Sequence, residues 1–159
     1  MNFNYYSISV KGFFQKKYLI VRNEKPYMTV EKRSFFSFEH VFRDEYGEEL
    51  FSIRKPFSLF TYKYEIFENG AYLGVIRKEN FSTTYILDTI DDYYRAKLNF
   101  TGTEYTFYDG EVEIGKGTRK IFSMDRAFQL AIMEGYNDDY ILAVLIVTSL
   151  VRSSRRRKN

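Results

Sequence analysis

Asn137-Asp138-Asp139 followed by Tyr140-Ile-Leu-Ala-Val-Leu-Ile-Val-Thr-Ser-Leu-Val151 decides the fold, because the last twelve of these positions carry no charge. Ile141, Leu142, Val144, Leu145, Ile146 and Val147 cover every direction of a helical wheel. A helix here has no polar stripe and must be surrounded on all sides. At about 1.5 Å per residue the run reaches only ~18 Å, whereas a bilayer core of ~30 Å asks for about 20 apolar residues. Five of the twelve residues are Ile or Val, which leaves a strand open on propensity. Length argues against it, since strands usually run roughly 3 to 10 residues. Asp138 or Asp139 suits the N-cap and puts negative charge at the positive end, while Arg152, Arg155, Arg156, Arg157 and Lys158 follow the negative end. The stretch predicts a helix over 138–151, buried inside protein, with a basic tail over 152–159.

Upstream of residue 134, apolar residues recur with period two, the mark of strands with one buried face. Ile8 and Val10 begin the pattern. Lys16 to Arg22 and Tyr27 to Val30 follow, joined through Asn23-Glu-Lys-Pro26, where proline fits a turn and not a mid-sheet position. Phe36, Phe38, His40 and Phe42 share one parity, as do Phe60, Tyr62, Tyr64 and Ile66. Tyr85 and Leu87 form another strand; Ala96, Leu98 and Phe100 face inward on the next, and Phe128, Leu130 and Ile132 on the last of them.

An internal repeat supplies the architecture. Gly47-Glu-Glu-Leu50-Phe-Ser-Ile53-Arg54-Lys55 matches Gly70-Ala-Tyr-Leu73-Gly-Val-Ile76-Arg77-Lys78, and a third copy runs from Gly110 to Arg119-Lys120 with two extra residues. Each copy reads as a hairpin, with Asn69-Gly70 and Asp109-Gly110 at the positive-φ positions of type I′ turns. Some ten to twelve short strands and one uniformly apolar helix have few packing solutions. A mainly β fold follows, a closed antiparallel barrel of about twelve strands enclosing the C-terminal helix. Residues 1–151 then form a single domain.

Composition narrows the chemistry. The 159 residues include 31 Phe and Tyr, no Trp and no Cys, so disulfides, thiolate catalysis and sulfur-ligated zinc are excluded. The start, Met1 to Val10, lacks the basic and apolar blocks of a signal peptide, which predicts a cytoplasmic protein. Of the net charge of +3, five of the 24 basic residues lie between 152 and 158. Residues 1–151 carry 19 basic and 21 acidic side chains, a net of −2, which argues against a nucleic-acid partner.

The hairpins ending in Arg54-Lys55, Arg77-Lys78 and Arg119-Lys120, followed by an alternating strand that leads through Gly135 and Asp139 to an apolar terminal helix, resemble the tubby-like superfamily, specifically its LURP-one-related and phospholipid scramblase branch. The similarity spans most of residues 15–151. It implies a barrel of roughly twelve strands threaded by the terminal helix. Tubby proteins bind phosphoinositide headgroups through basic side chains on the barrel. Scramblases carry a calcium-binding acidic segment and palmitoylated cysteines; this chain has no cysteine, and Asn137-Asp138-Asp139 is too short for the calcium segment.

No catalytic group can be assembled. His40 is the only histidine and lacks partners for a triad or a multi-histidine metal site. Asp88, Asp91 and Asp92 lack the calcium-loop spacing, and Gly115-Lys116-Gly117-Thr118 lacks the helix and the Lys-Ser/Thr pair of a phosphate loop. No metal or cofactor is expected. The three Arg-Lys pairs fit two roles, blunting strand edges among the glutamates or forming an anion-binding ring on one rim. Arg152, Arg155, Arg156, Arg157 and Lys158 likewise fit helix termination or attachment to anionic lipid. The sequence thus points to a non-enzymatic monomeric module, peripheral to membranes and not transmembrane, recognising anionic phospholipid headgroups. The alternative is a cytosolic small-ligand or protein-interaction barrel with no membrane role. A Met1–Tyr136 fragment, deprived of the apolar helix, is expected to lose its cooperative thermal transition; a soluble fragment that melts sharply overturns the threaded barrel.

Overall fold

The computed structural model describes residues 1–12, 15–57, 62–120 and 128–158. Phe60, Thr61, Arg126 and Ala127, read as strand residues from the sequence, lie outside the described residues, as do the side chain of Lys158 and Asn159. Twelve strands close into one antiparallel barrel: β1 (Phe3–Lys11), β2 (Lys17–Arg22), β3 (Lys25–Lys32), β4 (Glu39–Asp44), β5 (Glu49–Arg54), β6 (Lys63–Glu68), β7 (Ala71–Lys78), β8 (Thr84–Thr89), β9 (Tyr93–Leu98), β10 (Glu104–Asp109), β11 (Val112–Arg119) and β12 (Phe128–Met133). Each strand pairs with its sequence neighbours, and β1 closes the ring on β12 with Phe3 opposite Met133. The helix α1 (Asp138–Lys158) starts where β12 ends and threads the barrel. Odd-numbered strands therefore all run from the end where α1 begins, here the upper end, to the end where it finishes, the lower end.

The buried helix sets the interior. From Ile141 to Val147 no residue exceeds 1 % exposure, so every direction of the wheel meets wall. The wall answers with inward residues such as Ile8, Val30, Ile53, Ile66, Leu87, Phe107 and Ile132. Gly74 and Gly115 lie where strands approach closely: a Cβ on Gly74 would stand 2.3 Å from the carbonyl oxygen of Asp88, and one on Gly115 2.9 Å from that of Ala131.

The polar ends of α1 are met by tyrosines, whose rings sit in the apolar layer while their hydroxyls reach the helix termini. At the upper end Tyr6 donates to Asp138, joined by Asn4 Nδ2 at 3.0 Å, and Tyr27 donates to Asp139. Tyr94 donates to Asp92 at 2.7 Å and accepts from the amide of Asn137 at 3.3 Å. Near the lower end Tyr18 Oη lies 3.3 Å from Ser149 Oγ, and Tyr105 bonds Thr148. Burial first, and then the bonds to the aspartates, holds the Tyr6 and Tyr27 phenols above their ordinary range, so they serve as neutral donors.

Several expectations change. The cap is Asn137, whose Oδ1 accepts from the amide of Tyr140 at 3.4 Å. Asp138 and Asp139 occupy the first turn instead, where the barrel's tyrosines use them. The helix continues past Val151 to Lys158, so the basic residues form its last two turns rather than a separate tail. Pro26 sits inside β3, opposite Val21 at a register shift, a bulge that spares the ladder an amide there. The same shift recurs in the β4–β5, β6–β7 and β10–β11 hairpins, which makes β2–β3 a fourth member of the repeat. Asn69 and Gly70 take the type I′ conformation, with φ of 50° and 78°, as do Asn23 and Glu24, at 46° and 69°. Asp109 stays in β10; the positive φ falls on Gly110, the first central residue, as in a type II′ turn.

Two inward assignments fail outright. Phe36 and Phe38 precede β4 and are exposed, so His40 shares the interior with Phe42 but not with them. Phe100 lies beyond the end of β9 and is fully exposed. Alternation continues past a strand's end in sequence, but the pleat does not. Truncating the helix core at Ile146→Ala is expected to cost about 2–5 kcal/mol in urea unfolding, against under about 0.5 kcal/mol for the exposed Val112→Ala; equal costs contradict the enclosed helix.

Candidate functional site

Charge divides between the two ends. The upper connections, residues 23–24, 45–48, 69–70, 90–92, 110–111 and 134–137, hold Glu24, Glu45, Glu48, Asp91, Asp92, Glu111 and Glu134 without a lysine or arginine. Among the described residues of the lower connections, Lys16, Arg33, Lys55 and Lys120 stand against Glu79 alone. The end of α1 adds Arg152, Arg155, Arg156 and Arg157 there. Arg33 is engaged on the outer wall with Glu39 at 3.0 Å and Glu49 at 2.6 Å. The helix dipole follows the same polarity, its positive terminus among carboxylates and its negative terminus among cations.

The repeated Arg-Lys pairs all reach the lower end, because β5, β7 and β11 run in one direction. Their side chains part there. Arg54, next to inward Ile53, faces outward over the ring of Phe67 at 4.5 Å, with Glu39 at 3.6 Å, and Lys55 turns into a cavity. Arg77 shares this outward parity, and Lys78 lines a second cavity. In the third copy Gly110 is the first turn residue and not the second as Gly70 is, so counted from the turn the Arg-Lys pair lies one residue further on and its parity changes. Arg119 lines a small recess with Arg152 and Arg156, and Lys120 is exposed. The side chains that share the inner rim are therefore Lys55, Lys78 and Arg119, not the three arginines.

The first cavity, about 370 Å³, lies between the wall and the last turns of α1. Lys16, Lys32, Lys55 and Arg157 bring positive charge to it, Tyr18, Tyr64 and Leu150 give it an apolar floor beside the exposed Phe38, and among the described residues its lining contains no carboxylate. His40 faces it from β4. Burial and then Lys32 depress the imidazole to about 4, so it is neutral at pH 7, and its buried Nδ1 has no partner among the described residues. The second cavity, about 240 Å³, gathers Lys78, Arg152 and Arg155 with Asn99, Thr101 and Tyr105. Burial and then Arg155 lower the Lys78 ammonium, and its Nζ donates to the carbonyl of Glu79 at 3.3 Å. Arg152 Nη1 donates to the carbonyl of Gly102 at 3.0 Å, and Arg155 lies 4.9 Å from the Tyr62 ring centroid.

Clustered cations over an apolar floor, with hydroxyls at hand, can receive an anion attached to a greasy body. Ser153 and Ser154 share the first cavity with His40, but Ser154 Oγ donates to the carbonyl of Val151 at 2.8 Å and the buried His40 Nδ1 has no partner among the described residues, so no serine is bonded to the imidazole through that atom. Asp92 is bonded to Tyr94 and Asn137, and among the described residues no cluster has metal-holding composition. A larger groove of about 470 Å³ runs along the outer wall over β1, β11 and β12, but among the described residues Lys116 and Glu24 are its only charged side chains. Lys16, Lys32 and His40 escaped the sequence reading as site residues. Nothing local marks them, since strand pairing and the placement of α1 bring them together.

The family model for LURP-one-related proteins matches residues 6–149. A crystal structure of a protein from Arabidopsis thaliana superposes with a TM-score of 0.70 over 93 % of this chain and 91 % of that one, at 15 % sequence identity. That likeness establishes a shared fold. No curated protein sequence matches the chain. Among the described residues no helix is long and apolar enough to cross a membrane.

Because folding favours neutral His40, the unfolded chain binds more protons between about pH 4 and pH 6.5, the histidine's ordinary value. Its contribution to stability is complete above pH 6.5 and is lost as pH falls through that window, by roughly 3 kcal/mol at most. The acid-dependent part of the urea midpoint should therefore shrink in His40→Gln; curves that stay parallel from pH 7 to pH 4 exclude a buried neutral imidazole.

Proposed function

Since the chain belongs to the LURP-one-related family, matched over residues 6–149, we propose that it is a non-enzymatic, monomeric binding module that recognises anionic phospholipid headgroups at a membrane surface. The observation that carries this reading is the gathering of the rim cations and the last turns of α1 at one end of the barrel, with carboxylates at the other. In this reading Lys55 and Arg157 hold a headgroup phosphate at the first cavity and Lys78, Arg152 and Arg155 at the second, while Arg119 and Arg156, whose recess of about 10 Å³ is too small for a phosphate, add positive charge beside them. Arg54, Arg77 and Lys120 on the outer rim, and Lys158 at the helix terminus, add longer-range attraction of about 1 kcal/mol per charge near an anionic surface. The kinship with tubby-like proteins and scramblases suggested by the sequence belongs to the same proposal, as does a place on the cytoplasmic face of a membrane.

The rigid seat matters as much as the charge. Because α1 is locked in the barrel, its terminal arginines are held in place and their attraction is not spent on ordering a flexible tail. Flotation with liposomes tests the reading directly. At low salt the protein should rise with vesicles containing phosphatidylserine or a phosphoinositide and stay behind with pure phosphatidylcholine. The triple substitution Lys55→Glu, Lys78→Glu and Arg155→Glu should weaken binding at least about tenfold, given the per-charge attraction above. Failure of the unaltered protein to bind acidic vesicles at low salt ends the proposal and favours a cytosolic ligand or protein barrel.

A further inference from the structure

The lower end is not only cationic. Phe35, Phe36, Phe38, Phe57, Phe81 and Phe100 all project from its connections, in four separate loops, with exposures from 60 % to 108 %. The upper connections expose Tyr46 and Ile90, and the upper strand ends expose Met1, Phe3, Tyr72, Tyr93 and Val112, among which Phe3, at 36 %, is the one phenylalanine. Chance exposure of apolar residues is ordinary, but confinement of six phenylalanines to one end of a barrel is not. Resting on the headgroup reading above, we propose that the barrel docks end-on and inserts the phenylalanine tips of its lower loops among the lipid acyl chains.

The loops are built to hold these rings out. Phe81 has a φ of +56°, a conformation costly for a bulky side chain, in the β7–β8 connection whose ends are pinned by Glu79 N to Thr84 O at 2.9 Å. Phe100 stands at the head of a turn in which Asn99 Oδ1 accepts the amides of Thr103 and Glu104. Arg152 grips the far side of the same turn through the carbonyl of Gly102, so the core helix itself braces the loop that carries Phe100. Strain and bracing that present a ring to water make sense where the ring has somewhere else to go.

The arrangement favours a bilayer over a protein surface. Among the described members only Phe35 and Phe36 touch, at 5.0 Å between centroids. Separate tips interleaved with Lys55, Lys78 and Arg155 match a fluid apolar layer beneath an anionic one. In such a layer the cations meet phosphates while the rings pass below them.

The chain contains no tryptophan, so single reporters can be placed without background. Phe81→Trp, Phe100→Trp and, at the upper end, Tyr46→Trp are each mixed as full-length protein with phosphatidylserine-containing vesicles whose phosphatidylcholine chains are brominated. Emission at positions 81 and 100 should shift to the blue and be quenched, and that at position 46 should do neither. The double substitution Phe81→Ser, Phe100→Ser should weaken vesicle binding by roughly a hundredfold, about tenfold per ring, with the salt dependence unchanged. Salt-sensitive binding without quenching at 81 or 100 overturns insertion while leaving headgroup recognition standing. Absence of any binding removes both, and a vesicle-independent blue shift with doubled mass assigns the rings to a contact between copies of this chain.

Discussion

Seven consecutive helix residues, Ile141 to Val147, need apolar neighbours in every direction at once, and no flat sheet or pair of layers can supply them. A closed wall can. Twelve strands curve far enough to hold one helix and its side chains, and closure leaves no sheet edge exposed. The remaining difficulty is at the two helix ends, where backbone groups and the first and last polar side chains must leave the apolar layer. Tyrosine solves it with a single residue type: the rings of Tyr6, Tyr27 and Tyr94 extend the core, and their hydroxyls deal with Asp138, Asp139 and Asn137. Part of the high tyrosine content is thus tied to the enclosed helix, while Tyr5, Tyr46, Tyr72 and Tyr93 are exposed outside it.

The same helix gives the molecule its polarity. Acidic residues at its start and basic ones at its finish complement its dipole, and the connections around each end carry the matching sign. A segment committed to holding the fold together therefore also delivers cations to a surface, since its last turns protrude beyond the apolar stretch. Structural and functional roles divide along its length rather than between separate elements.

The enclosed helix, its boundaries to the south of Val151 aside, was legible because burial on all sides writes itself into consecutive residues. The hairpin repeat was legible because turn glycines and strand alternation are local. What could not be read depends on where strands stop and how they pair. Phe36, Phe38 and Phe100 continue an inward parity yet lie past strand ends, so their exposure is invisible to periodicity. In the third copy of the repeat Gly110 is the first of the two turn residues whereas Gly70 is the second, so the third Arg-Lys pair falls one residue further along its strand and Arg119 takes the register of Lys78. Net charge misled in a related way: the value of −2 for residues 1–151 averages over two ends of opposite sign, and only the direction of each strand tells which end a residue joins.

Closure of the barrel sets the order in which it can be made. Phe3 pairs with Met133, and the helix that fills the interior follows β12 in the chain, so synthesis from the amino end delivers the walls first and their contents last. Hairpins such as β6–β7 can form early, but their inner faces have nothing to cover until α1 leaves the ribosome. Long-range closure of this kind is slow, and partly built walls expose apolar surface while they wait. The nascent chain is thus most vulnerable to aggregation between the emergence of β12 and that of α1, when all twelve strands of the wall exist without the segment that fills them.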